Sequence, residues 1–192
     1  MSNHARAAVT GADLHPLLAN RWSPRGFVAG HRLTDEDLNT LLEAARWSPS
    51  YGNSQPWRFL VARQGEPAFD RLAAQLLPGN QTWAPVASAL LAIAATTVDE
   101  KGEPWPLWHY DTGQAAAHLT VQATAMGLVV HQMAGFDHDG LRAEFKLPDT
   151  IEPLAMMAIG HWDPEAALPE NLREREFAPR VRKPLSELLL PV

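Results

Sequence analysis

The chain has 192 residues, 46% of them hydrophobic, with no cysteine and a formal net charge of −6. This length suits one domain spanning 1–192, and the lack of cysteine excludes disulfides, thiolate metal sites, Fe–S clusters and thiol nucleophiles. The acidic balance argues against nucleic-acid binding. No run approaches the roughly 18 consecutive apolar residues of a membrane span, and the start lacks a signal-peptide layout, so a cytoplasmic protein without a membrane partner is expected.

Residues 1–12 are small and aperiodic and read as poorly ordered. Asp13-Leu14-His15-Pro16-Leu17-Leu18 reads as a short helix leading into Arg21-Trp22-Ser23-Pro24-Arg25. There two guanidiniums flank a hydroxyl on a proline-stiffened backbone. Arginine forks fit phosphate oxygens bidentately, and a serine hydroxyl can serve the same anion or a ribityl hydroxyl. Arginine pairs on solvated loops are also common, so the pentapeptide alone leaves both readings open. Thr34 with Asp37 resembles a capping box, and Leu38, Leu41, Leu42 and Ala45 follow at helical spacing, which predicts a core helix ending near Arg46.

Next comes Trp47-Ser48-Pro49-Ser50-Tyr51-Gly52-Asn53-Ser54-Gln55-Pro56-Trp57-Arg58-Phe59. Two prolines and a glycine forbid regular structure until the strand expected at 59–62. Ser50, Asn53, Ser54 and Gln55 offer both donors and acceptors beside aromatic rings, which suits a flat heteroaromatic ligand with an alternating edge. A capped, proline-stiffened connection is the simpler alternative.

The stretch from Ser48 to Trp57 resembles the Ser-Pro-Ser-Ser-x-Asn-x-Gln-Pro-Trp signature of the flavin-dependent nitroreductase family, with Tyr51 in place of the second serine. Arg21-x-Ser23-x-Arg25 is similar to that family's first signature, which holds the FMN phosphate, ribityl chain and pyrimidine edge. The resemblance implies an α/β (α+β) nitroreductase-like fold, a central sheet flanked by helices, in an intertwined homodimer with a terminal extension. It implies one FMN per subunit at the dimer interface. Arg21, Trp22, Ser23 and Arg25 would then bind the cofactor, and Pro49, Ser50, Tyr51, Asn53 and Gln55 would reach the flavin held mainly by the other subunit.

Phe69, Leu72, Ala73 and Leu76 predict a helix stopped by Pro78-Gly79, and the run from Val86 to Ala95 predicts a strand covered on both faces. By resemblance Asn80 hydrogen-bonds the flavin. Trp83 stands where relatives have a lysine, which removes a cation near the flavin N1–O2 edge and shifts that demand to Arg25 or Arg21. The segment 99–111 is rich in proline and aromatic residues and reads as non-helical. Trp83, Trp105, Trp108, His109 and Tyr110 are expected to line a substrate channel or close over it, as the family's variable middle segment does. A lone histidine such as His109 is more often a structural hydrogen-bonder than an acid or base. A helix rich in alanine is expected over 110–128, ending at Gly127, its small residues suiting a close helix–helix contact.

Gly135-Phe136-Asp137 is similar to the family's Gly-Phe-Asp, preceded by a segment whose backbone faces flavin N5. Gln132, Met133, Ala134 and Gly135 are assigned to the cofactor on that ground. Asp137 is expected to cap a helix over 138–146, and Pro153 to Ile159 a further buried strand. The basic cluster Pro179-Arg180-Val181-Arg182-Lys183-Pro184 reads by itself as a solvated tail. By resemblance it is the second phosphate clamp, with Arg180 and Arg182 as ligands and Lys183 a helper.

Alternation of strands and helices argues for layers around one sheet. The resemblance assigns no catalytic side chain and no metal. Flavin N5 would take a hydride from NADH or NADPH and pass electrons, in ping-pong order, to a nitroaromatic, quinone, enal or similar small acceptor. The alternative is an FMN storage or sequestering protein whose pocket is closed by the aromatic segment.

Overall fold

The computed structural model describes residues 6–191. A four-stranded sheet forms its centre, from β1 (Trp57–Arg63), β2 (Ala89–Thr96), β3 (Val129–Met133) and β4 (Ile151–Gly160). The strand order is β1-β2-β4-β3, and every neighbouring pair is antiparallel. Strand β2 is apolar from Ala89 to Ala95, where both its faces are covered. Leu90 and Ala92 enter one core with Phe69, Leu72, Trp83 and Met156. Ala89, Leu91 and Ile93 enter the other with Leu38, Leu41, Leu119 and Ile159. Alternate residues of a strand point to opposite faces, so a sandwiched central strand has no solvent side on which to place a polar residue. Pro153 lies in the central strand β4, where the missing N–H would break the ladder. The pairing with β2 shifts register between Ile93 and Ala94, and the proline sits at that irregularity.

Helix α1 (Pro16–Asn20) follows the N-terminal segment, and α2 (Asp35–Arg46) opens with the expected capping box between Thr34 and Asp37. Helices α3 (Pro67–Ala74) and α4 (Pro78–Gln81) lie between β1 and β2, and a turn of 3-10 helix over Ala84–Val86 delays β2 by three residues relative to the expected run. Helix α5 (Trp108–Ala125) precedes β3. It closes with Leu128 N–H on Ala123 O and Gly127 N–H on Thr124 O. Helix α6 (His138–Phe145) has Asp137 as its N-cap, accepting from the Gly140 N–H, and α7 (Glu170–Phe177) follows β4.

Three expectations change. The segment 99–111 is not wholly irregular, because its prolines end at Pro106 and α5 begins two residues later, taking Trp108, His109 and Tyr110 into its first turn. Strand β3 and helix α7 carried too little periodicity to be foreseen: β3 has five residues, and α7 is charged over most of its length. Residues 1–5 of the stretch expected to lack order lie outside the described residues. The rest of that stretch is tied down, with Ala8 N–H on Ala19 O and Arg6 Nη2 on Ala178 O, 2.8 and 2.7 Å. Among the described residues no helix is long and apolar enough to cross a membrane.

Candidate functional site: a cationic end, a buried platform and a left-handed loop

The two ends of the chain meet at a cluster of cations. Arg21, Arg180, Arg182 and Lys183 line a cavity of about 670 Å³ together with residues 8–12. Arg180 is the tie. Its Nη1 donates to the carbonyls of Arg6 and Ala19, the latter at 2.9 Å, and its Nη2 to the Arg21 carbonyl at 2.8 Å. Those bonds occupy much of its fork. Among the described residues the Arg21 side chain reaches only Ser23 Oγ, at 3.5 Å, and Arg182 donates to the neighbouring Val181 carbonyl, which leaves both charges without a counter-ion there. Among the described residues no carboxylate forms an ion pair with Arg21, Arg180 or Arg182, whereas Lys183 lies 3.8 Å from Glu187. Burial, then the Arg182 charge, lowers the pKa of Arg21. Burial, then Arg21, Arg182 and Arg6, lowers that of Arg180. Positive charges that depress one another in this way give the cavity a positive potential, which attracts anions.

The Arg21–Arg25 segment is held from behind by a residue that sequence reasoning missed. Glu176 on α7 is buried and accepts from Arg25 N–H at 2.9 Å, Gly26 N–H at 3.2 Å and Trp162 Nε1 at 3.2 Å. Nothing around Glu176 in sequence distinguishes it from its charged neighbours. Trp22 is buried between the Arg6 guanidinium, 4.5 Å from its ring centroid, and the edge of Trp162. Its side chain supports the segment from within the core.

Beneath Arg25 lies a platform. Trp83 was expected in the substrate channel, but it is fully buried, parallel to Phe27 at 6.2 Å and 4.6 Å from His131. The apolar core between α4 and β2 takes the large ring. The Arg25 Cζ lies 5.9 Å from the Trp83 centroid. Burial, then the Arg175 charge, lowers the Arg25 pKa, with Glu176 opposing. His131 Nδ1 donates to the Pro24 carbonyl at 2.9 Å, and burial holds this imidazole down to about 4. It is therefore neutral at pH 7.

Asn80 and Gly135, both assigned to the cofactor by resemblance, lie against each other. Asn80 Nδ2 donates to the Gly135 carbonyl at 3.0 Å, and a Cβ at Gly135 would lie 2.8 Å from that nitrogen. Ala134 and Gln132 are exposed, Gln132 donating to Thr120 Oγ1, while Met133 points into the core.

The 48–55 loop is separate from these groups. Gly52, Asn53 and Gln55 all have φ between 47° and 57°, a left-handed region that is costly for residues with a Cβ. Gln55 N–H donates to Ser50 Oγ. Pro49, Tyr51, Asn53 and Gln55 are exposed. Trp105 and Trp108 are half-buried, and His109 and Tyr110 are exposed on the first turn of α5.

The sequence and the fold match known proteins. The model of the nitroreductase family matches residues 18–161. The chain belongs to the nitroreductase family. A 15.4 kDa uncharacterized protein of Mycolicibacterium smegmatis is 37% identical over 142 residues, 68% of this chain and 92% of that one. A Rhodopseudomonas palustris protein with the provisional name NADH dehydrogenase/NAD(P)H nitroreductase is 29% identical, over 73% of this chain and 81% of its own. Among solved structures, an oxidoreductase containing FMN superposes with a TM-score of 0.89 at 35% identity, covering 95% of this chain and 93% of that one. A Desulfovibrio desulfuricans protein solved in complex with FMN gives 0.74 at 26% identity, covering 93% and 98%. Membership of this family, with relatives of these names, marks the chain as an oxidoreductase.

Proposed function

We propose that the protein is an FMN-dependent NAD(P)H oxidoreductase acting as a homodimer. The observation that carries this reading is the unpaired cation pair Arg21 and Arg182, brought together from opposite ends of the chain and fixed by Arg180. FMN, when bound, supplies acceptance of a hydride and its delivery onward as electrons. The chain's own residues do the rest. Arg21, Ser23 and Arg182 hold the phosphate by charge-assisted hydrogen bonds. Arg25 offers a cation to the pyrimidine edge, where relatives have a lysine and this chain has the buried Trp83. Asn80 stands against Gly135, whose missing side chain makes room for the Asn80 amide beside the segment assigned to flavin N5.

The dimer accounts for the separation of the 48–55 loop. Among the described residues this loop makes no hydrogen bond to the arginines, Asn80 or Gly135, so Ser50, Asn53 and Gln55 would face the partner's flavin. Exposed Trp47 beside the α2–α5 face, and the exposed Leu185, Leu188, Leu189 and Leu190 of the tail, supply apolar surface for such an interface.

Burial of Trp83 removes one aromatic ring from the segment that could seal the pocket, which favours turnover over storage. Anaerobic addition of NADH or NADPH to the purified yellow protein should bleach the flavin, and a nitroaromatic, quinone or enal should restore its colour. A colourless protein that takes up no FMN overturns the reading. A flavoprotein inert to both nicotinamides returns it to a storage role.

A further inference from the structure

We infer that helix α5 is a two-point splint for the 48–55 loop, with Asp111 and His118 as positioning residues that hold it in its left-handed course. Asp111 is 2% exposed. Among the described residues no cation pairs with it. Its Oδ2 instead accepts the Tyr51 N–H at 2.9 Å and the Ser54 hydroxyl at 3.5 Å. Seven residues further along the helix, His118 Nδ1 bonds Ser48 Oγ at 2.7 Å. A separation of seven is two helical turns, so both side chains stand on one face, about 10 Å apart. Among the described residues, every hydrogen bond from the loop to chain distant in sequence ends on one of these two side chains.

The need for a splint follows from the backbone. Asn53 and Gln55 are held at positive φ, a region that asparagine tolerates better than most residues with a Cβ and that is costly for glutamine. Outside the loop the alternative for the Tyr51 N–H is water. The helix can bear the load because Ala115, Leu119 and Ala123 are fully buried against the sheet and α2. Asp111 follows directly on Trp108, His109 and Tyr110, so the aromatic first turn and the loop form one rigid unit.

The splint is a property of the fold. Its consequence for the flavin rests on the proposed function, through the outward faces of Asn53 and Gln55. The test uses Asp111→Ala and Asp111→Asn. In Asp111→Asn an amide oxygen in the place of Oδ2 can still accept from both the Tyr51 N–H and the Ser54 hydroxyl. In FMN-free protein, amide exchange at residues 50–54 should quicken about tenfold in Asp111→Ala, the scale of one lost buried hydrogen bond, and return in Asp111→Asn. Exchange in β2 and β4 should not change. In FMN-loaded protein, Asp111→Ala should alter the visible flavin spectrum and weaken FMN by about tenfold, with rescue by Asn. If Asp111→Ala does not fold, Ser48→Ala, which cuts only the His118 contact, should quicken exchange at the start of the loop. Unchanged loop exchange overturns the splint whatever FMN does. Quickened exchange with unaltered FMN affinity and spectrum overturns its role at the flavin. A wild-type protein that binds no FMN removes the proposed function but leaves the exchange result standing.

Discussion

The cationic end and the 48–55 loop are built in opposite ways. At the cationic end, residues separated by some 160 positions meet, and their side chains repel one another. The loop is contiguous in sequence, carries no charge, and is bonded to itself and to α5. Like charges left unpaired beside a cavity cost stability that a bound anion would return. A neutral loop with its backbone bonds satisfied has its shape before any ligand binds. The first should therefore respond strongly to phosphate and salt, the second to backbone substitution.

The largest effect should come from beneath the cationic end. Trp83→Ala removes a buried indole from the stack with Phe27 and His131, and should destabilise the protein by about 3–5 kcal/mol in denaturant unfolding. A loss below about 1 kcal/mol would mean that the platform is not what carries Arg25.

Acid should act on the same platform. His131 is held down to about 4 in the folded chain, against about 6.5 for a free imidazole. Its contribution is complete above pH 6.5, because neither state is then protonated at this site. As pH falls towards 4 the unfolded chain takes the proton first, and stability should drop by up to about 3 kcal/mol. His131→Gln keeps a donor for the Pro24 carbonyl without titrating, so denaturation at pH 7 and pH 4 should lose this part of the difference.

Within the cationic cluster, Arg182→Ala should weaken FMN by about ten- to a hundredfold, from one charge-assisted contact of about 1.5–3 kcal/mol. The melting temperature of the FMN-free protein should not fall. Arg180→Ala should lower both, since its guanidinium ties three backbone carbonyls. Equal behaviour of the two variants would erase the distinction between ligand and tie.

On the loop side the expected effect is smaller. Gly52 has φ +56° with open space around a built Cβ, so Gly52→Ala should cost about 1 kcal/mol of backbone strain and no packing. Lys183→Ala should change FMN affinity least, under about threefold, because the ammonium is exposed and already faces Glu187. Titration of FMN into each variant ranks them.

Much of the site was legible because the chemistry of its residues is local. The capping box at Thr34 acts through spacing within one segment and forms as expected, whereas the proline-bounded run at 48–57 and the Arg-x-Ser-x-Arg pentapeptide stand out by their spacing and take a ligand role only through the family resemblance. The apolar run of β2 likewise declared a strand covered on both faces, since it has no polar alternate positions.

Tertiary structure decided what depends on distance through space. Trp83 was assigned to a channel because a tryptophan suits both a pocket wall and a core, and its packing against Phe27 placed it in the core. Arg180 and Arg182 read as equivalent two residues apart, yet Arg180 ties three carbonyls distant in sequence while Arg182 donates only to its neighbour Val181 among the described residues. Glu176, Asp111 and His118 carry no local signal, because a charged or polar residue on a helix is normally solvated. Glu176 and Asp111 became structural where the fold buried them, and His118 where α5 brought it to the buried Ser48, against backbone N–H and hydroxyl groups 57 to 151 residues away.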